Sequence, residues 1–244
     1  MRPVVSVPVL KIDSVEFVRS AAGPGDLPDA GLPELAMVGR SNVGKSSLIN
    51  ALMRRSVART SATPGKTRLI NVYRVATPHT GPFYVVDLPG YGYSRKEARA
   101  EFERLAAMYF GRADSPGLEP GTREDVDTAA RSSRGFRPSG RDEPGRTPIG
   151  VLLALDARHP GMESDLATLQ WLRGRRLEPL VVVTKIDKLS RNERAKALDR
   201  FEQVCGQPVL AVSAATGEGM EDLWKPMTSW LVSQTAIRPP RSRP

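Results

Sequence analysis

A chain of 244 residues with 40% hydrophobic and 26% charged side chains has the composition of a globular protein and the length for one buried domain with extensions, or two small ones. No apolar stretch approaches the roughly 18 residues a membrane span requires, Pro8, Lys11, Asp13 and Glu16 break the short apolar start too early for a secretory leader, and a single cysteine, Cys205, excludes an internal disulfide framework and fits a reducing compartment. A net charge of +9 and a pI near 10.0 suit a polyanionic partner, because neutralising phosphates releases counterions, although 28 arginines against 8 lysines alongside 21 prolines is also what a compositional bias of the source would leave.

In chain order, residues 1–14 read as an N-terminal extension to a domain spanning 15–234. Runs at Glu34–Gly39, Leu69–Ala76, Phe83–Asp87, Ile149–Asp156, Pro179–Thr184 and Pro208–Ser213 read as strands, several of them nearly continuous in Val, Ile and Leu, as strands covered on both faces should be. Amphipathic stretches at Lys45–Arg54, Arg95–Gly111, Met162–Gly174, Arg191–Val204 and Met220–Val232 read as helices. In the last, Leu223, Trp224, Met227, Trp230 and Leu231 form a stripe suited to core packing. The alternation predicts an α/β domain in three layers, a mainly parallel sheet with helices on both faces. Only "TPHTGP" separates the second and third strands, so these form an antiparallel hairpin that supplies one antiparallel edge strand. Residues 112–148 hold only Leu118, Val126 and Phe136 as large apolar side chains, with seven arginines balancing seven acids, and read as a disordered insertion. The tail 235–244 reads as basic and disordered.

"GRSNVGKSS", between a strand and a helix, fits G-x-x-x-x-G-K-[ST]. Glycines let successive amides turn inward around phosphates, and the following helix N-terminus adds its positive dipole end. Lys45 is placed to reach the β- and γ-phosphates, and Ser46 to offer its hydroxyl to Mg²⁺. "TKID" selects the base: the Asp187 carboxylate accepts two hydrogen bonds from guanine, whereas adenine would leave it unpaired. Lys185 lies along the base and bridges back to the phosphate loop, and "SAATGEG" closes under the base with backbone amides. "TSATPGKTR" supplies Thr67 for Mg²⁺ and the γ-phosphate, with Thr63 as the alternative, and in "DLPGYGYS" Asp87 holds a Mg²⁺-bound water while the Gly90 amide senses the γ-phosphate. The candidate nucleotide site therefore runs through Gly39, Arg40, Ser41, Asn42, Val43, Gly44, Lys45 and Ser46, then Gly65, Lys66, Thr67, Arg68 and Leu69, then Asp87, Leu88, Pro89 and Gly90. Thr184, Lys185, Ile186, Asp187, Val212, Ser213 and Ala214 complete it. Lys45, Thr67 and Gly90 are the candidates for transition-state stabilisation, with no general base assigned.

Together "GRSNVGKSSLINAL", "TPGKTRLINVY", "VDLPGYGYS", "DARHP", "TKIDKLS" and "VSAATGEG", in this order, resemble the EngB (YihA/YsxC) family of Era-like bacterial GTPases, from about Val15 to Leu231 apart from the insertion. The resemblance implies a single P-loop G domain, GTP and Mg²⁺ binding, and a role in assembly of the large ribosomal subunit. It also implies a link to cell division and septation. A cytoplasmic location and a monomer are expected.

One feature departs from many such enzymes. Where they carry a glutamine to hold the attacking water, the residue after Gly90 is Tyr91. Either hydrolysis is slow until a ribosomal surface orders the loop, or a potassium ion held by Asn42 supplies charge, or Tyr91 and Tyr93 are binding residues. Asn42 as a brace of the loop is the plainer alternative, and His159 and His79 read as turn residues. The competing functions are a GTP-gated RNA or ribosome adaptor with incidental hydrolysis, an Era-like GTPase with another RNA target, and a kinase or ATPase, which "TKID" argues against.

Overall fold

The computed structural model describes residues 11–28, 31–58, 69–91, 96–111, 146 and 148–237. The continuous apolar runs become the centre of one sheet. Its strands are β1 (Ser14–Ala21), β2 (Glu34–Gly39), β3 (Ile70–Ala76), β4 (Phe83–Asp87), β5 (Gly150–Asp156), β6 (Leu180–Thr184) and β7 (Leu210–Ala211), in the order β1-β3-β4-β2-β5-β6-β7. β4, β2, β5, β6 and β7 are parallel, and β3 is antiparallel to both β4 and β1. The β3–β4 hairpin is thus as expected, but β1 lies outside it and forms the edge.

Alternate residues of each buried strand feed two cores. Ala36, Val38, Leu153, Leu155, Val181 and Val183 face α2 (Lys96–Phe110), α3 (Glu163–Gly174) and α4 (Arg191–Cys205). Leu35, Met37, Leu152 and Val182 face α1 (Lys45–Met53) and α5 (Met220–Ile237). Leu223, Trp224, Met227 and Leu231 of α5 enter this second core, as their stripe predicts. Local signals mark the helix ends. Ser190 accepts the Glu193 amide while Glu193 bonds back to the Ser190 amide at 2.9 Å, and left-handed Gly206 follows Cys205. α5 continues to Ile237, past Val232 and into the stretch read as tail, while residues 238–244 lie outside the described residues. Cys205 is buried, and burial raises its thiol pKa.

The order of strands reverses at β2, with β4 on one side and β5 on the other. In such sheets the crevice at the carboxyl ends of these strands is where ligands bind. The opposite pole holds the base of the insertion, of which 112–145 and 147 lie outside the described residues. There the buried Glu34 carboxylate accepts the Tyr109 hydroxyl at 2.8 Å and the Arg146 guanidinium, which also donates to the Pro28 carbonyl, while the Arg146 amide bonds the Tyr109 carbonyl at 2.8 Å. Tyr109 and Arg146 therefore meet on β2. Removing the cation leaves a buried carboxylate short of its partner, so Arg146→Ala is expected to cost about 3 kcal/mol in denaturant unfolding, against under about 0.5 kcal/mol for an exposed arginine such as Arg191.

Candidate functional site

β2 ends at Gly39 and α1 starts at Lys45, so five residues must turn the chain through the crevice. Asn42 (φ 60°) and Gly44 (φ 107°) take left-handed backbone, the second one a conformation that glycine adopts without strain. The Val43 amide bonds the Arg40 carbonyl at 3.2 Å, and Leu48 to Gly44 at 2.8 Å opens the helix. The Lys45 side chain curls back so that Nζ donates to the Gly39 carbonyl at 2.9 Å. Ser46 is the next residue of α1, half-buried. The result is a concave turn ending in a helix N-terminus, the geometry that holds phosphate.

Asp87 ends β4 beside this loop and is 3% exposed. Burial raises its carboxyl to about 6, with Lys45 opposing the shift, and burial lowers Lys45, with Asp87 opposing. Asp87 Oδ1 has no hydrogen-bond partner among the described residues. Leu88 continues along β2, its amide on the Met37 carbonyl at 3.0 Å, and Pro89 is buried. The chain then crosses the phosphate loop. The Ser41 amide donates to the Tyr91 carbonyl at 2.9 Å and the Ser41 hydroxyl to the Gly90 carbonyl at 3.1 Å. A Cβ at Gly90 would stand 2.7 Å from the Ser41 backbone, so only glycine allows this approach.

On the other flank, β6 delivers Thr184 and Lys185. The Thr184 hydroxyl, buried, donates to the Val43 carbonyl at 2.7 Å and also lies 3.0 Å from Leu155 O. Lys185, left-handed at φ 60°, sends Nζ to the Asn42 carbonyl and to Asp156 Oδ2 at 2.9 Å. Asp156 is held in turn by Arg158, through Nε at 2.9 Å, Nη2 at 2.8 Å and its backbone amide at 3.1 Å. These bonds together outweigh burial and keep Asp156 ionised well below the usual carboxylate range. Ile186 is buried beneath, and Asp187 Oδ1 accepts the Ser213 hydroxyl at 2.7 Å, which with Lys188 lowers its pKa. Ser213 also receives the Ala215 and Thr216 amides at 3.2 Å, so the loop from buried Val212 through half-buried Ala214 folds around Asp187.

The structure thus brings Gly39–Ser46, Asp87–Gly90, Thr184–Asp187 and Val212–Ala214 to one end of the sheet. Leu69 sits partly exposed just before β3, whereas Thr63, Gly65, Lys66, Thr67, Arg68 and Tyr93 lie outside the described residues. Tyr91 is 3% exposed with its ring 5.2 Å from that of Phe102, so hydrophobic packing draws the ring into the core, which argues against the alternative in which it is a binding residue. His79 and exposed His159 lie in turns, as read. Asp156 and Asp165 escaped the sequence reading. The first has a signal, an aspartate closing a strand within "DARHP"; the second has none, since its neighbours Arg40 and Tyr91 are far away along the chain.

A sheet with this topology and these loops defines the P-loop GTPase class, and comparison with known proteins agrees. Residues 34–115 match the family model described as 50S ribosome-binding GTPase. The "Probable GTP-binding protein EngB" of Pelotomaculum thermopropionicum is 37% identical over 229 residues, covering 91% of this chain and 98% of that protein. Among solved structures, a probable GTP-binding protein EngB superposes with a TM-score of 0.53 at 19% identity, over 82% of this chain and 99% of that one. Era in complex with MgGDPNP and nucleotides 1506–1542 of 16S ribosomal RNA superposes with a TM-score of 0.59 at 20% identity, over 87% and 58%. The chain belongs to the EngB family.

The Asp87 environment has a measurable consequence. Between the ordinary carboxyl value of 3.8 and about 6, the folded state retains a proton that the unfolded state has lost. This group's contribution to stability therefore falls as pH rises through that window and levels off above it. Asp87→Asn removes the penalty. In the nucleotide-free protein the variant should gain on the wild type from pH 4 to 6, reaching about 1–3 kcal/mol, or several degrees in Tm, by calorimetry.

Proposed function

We propose that this protein binds GTP with Mg²⁺, hydrolyses it slowly, and acts as a nucleotide-controlled switch on the large ribosomal subunit or its precursor, a step on which normal division and septation depend. One observation carries the nucleotide half of this reading. The Thr184 hydroxyl and Lys185 ammonium hold the Val43 and Asn42 carbonyls, so the phosphate loop and the Asp187 carboxylate are two ends of a single site. Asp187, kept ionised by Ser213 and Lys188, is suited to accept the paired N–H donors of guanine.

The chemistry of the donors fits Mg²⁺. Asp87 presents a buried carboxylate oxygen without a partner among the described residues, close enough to Lys45 for each to shift the other, and the Ser46 hydroxyl opens the helix after the loop. When bound, the ion neutralises phosphate charge. Ser46 and Thr67 are the ligands assigned to it, with Asp87 acting through water. Lys45 turns from the Gly39 carbonyl to the phosphates, and the Gly90 amide binds the last of them. Slow hydrolysis follows from Tyr91, whose side chain is turned into the core and leaves no carboxamide at this point to orient water.

The ribosomal half is supported by the family description, which names 50S binding, and by the net charge of +9, which favours an RNA-rich surface. No helix among the described residues is long and apolar enough to cross a membrane, and a single buried thiol suits a cytoplasmic location.

Two measurements test the reading. By calorimetry, Asp187→Ala should weaken GDP and GTP binding at least about 100-fold and erase the preference over adenosine nucleotides; unchanged selectivity would remove Asp187 from base recognition. Sedimentation with ribosomal subunits should show co-migration with large-subunit particles in GTP or a non-hydrolysable analogue, and release in GDP. Equal association in all nucleotide states would refute the switch.

A further inference from the structure

One buried polar cluster next to the nucleotide site is unused by it. Tyr91 stands at its centre. Its backbone bridges Arg40 in parallel and takes the Ser41 amide at 2.9 Å, directly after Gly90 presses on Ser41. Its ring packs on Phe102 of α2, and its hydroxyl faces the Asp165 carboxylate and the Thr168 hydroxyl of α3. Arg40 Nε approaches Asp165 Oδ1 to 3.9 Å. Thr168 already donates to the Ser164 carbonyl at 2.8 Å, so toward Tyr91 it can only accept.

The cluster is loose. Arg40 Nε, the Tyr91 hydroxyl and both Asp165 oxygens are buried, yet none closes a hydrogen bond of normal geometry among the described residues. Burial is the largest influence raising both Tyr91 and Asp165, and Asp165 raises Tyr91 further. A core built only for stability would place phenylalanine and an apolar partner here, since unsatisfied buried polar groups are costly. Two of the members, Arg40 and Tyr91, belong to the phosphate loop and to the segment that crosses it. The third is fixed on α3. A cluster whose bonds are incomplete can shorten when the crossing segment moves, and that is a means of setting where the segment stops.

We infer that Tyr91 is a positioning residue: bridged to Arg40 through its backbone and set beside Asp165, with which its hydroxyl can close a bond, it fixes the Gly90 peptide against the phosphate loop, so the contact to the third phosphate is set from α3. This rests on the guanine-nucleotide reading above. Tyr91 touches no substrate atom in this role. It replaces neither the water-orienting glutamine nor a partner contact, and it acts through the backbone one residue away.

The test uses the full chain with Tyr91→Phe, which keeps the ring on Phe102, and Asp165→Asn, which keeps the shape. Calorimetry gives affinity for GDP and for a non-hydrolysable GTP analogue, and steady-state hydrolysis gives kcat and KM. Each variant should hold GDP affinity within about twofold, weaken the analogue about five- to tenfold, and lower kcat more than it raises KM. The double variant should be no worse than the worse single one. Parallel losses for both nucleotides, no change for either, or additive losses in the double variant would overturn the proposal and return Tyr91 to core packing. Should Asp165→Asn fail to fold, Tyr91→Phe decides alone through the GDP-to-analogue ratio. If the unmodified chain binds no guanine nucleotide, the parent reading falls and this one with it; if it binds GDP and GTP but the variants leave their ratio unchanged, only this one falls.

Discussion

The site depends on the bond from the Thr184 hydroxyl to the Val43 carbonyl. In a trans peptide the C=O and the following N–H point in opposite directions. Holding the Val43 carbonyl on β6 therefore turns the Gly44 amide away from the sheet, toward the side where a phosphate would lie. Lys185 does the same service at Asn42, Lys45 holds the Gly39 carbonyl, and Tyr91 takes the Ser41 amide from the opposite flank. A loop of small and polar residues with two left-handed positions has little reason to keep one shape by itself. It keeps this one because neighbouring strands claim its outward-facing groups.

Electrostatics makes the same point about cost. Lys45 and Asp87 are both buried, and burial pushes each toward its neutral form. Their mutual attraction only partly offsets that push, as expected when two charges leave water for a low-dielectric interior. Asp156 shows the contrast. Two cationic side chains and an amide converge on it, and its carboxyl falls instead of rising. The flank around Asp156 is thus saturated with bonds, whereas the flank around Asp87 is under-coordinated. The cores on both faces of the sheet supply the stability that tolerates this imbalance.

Much of this arrangement is readable in the residues. Strands buried on both faces must be nearly continuous in apolar residues, and β2, β5 and β6 are. The helices begin and end within a residue or two of their patterns, α5 excepted, because caps and periodicity are local. β1 was missed for a physical reason: a bulge between Phe17 and Arg19 shifts the register, so the alternation of inward side chains breaks halfway along the strand. β7 is only Leu210–Ala211, shorter than the run Pro208–Ser213, because Val212 and Ser213 leave the ladder to bind Val183, Ile186 and the loop ending at Glu218. Motif spacing located the phosphate loop, Asp87 and Asp187. It could not locate the Tyr91–Asp165 contact, since that depends on α3 packing beside the crossing segment.

The sheet has two poles, one at the phosphate loop and one at Glu34. β2 joins them directly, with Glu34 clamped by Arg146 and Tyr109 at one end and Gly39 opening the phosphate loop at the other. It is hydrogen-bonded to β4 and β5 along both edges. α2 is different. It is held mainly by side-chain contacts, with Phe102 against Tyr91 near the phosphate loop and Tyr109 against Glu34 at the other pole, where the Arg146 amide also bonds the Tyr109 carbonyl. Packed side chains can exchange partners where a strand ladder cannot, and coupling needs an element with two arrangements. α2 is therefore the element that joins Tyr91 to the Glu34–Arg146 clamp through contacts of this exchangeable kind.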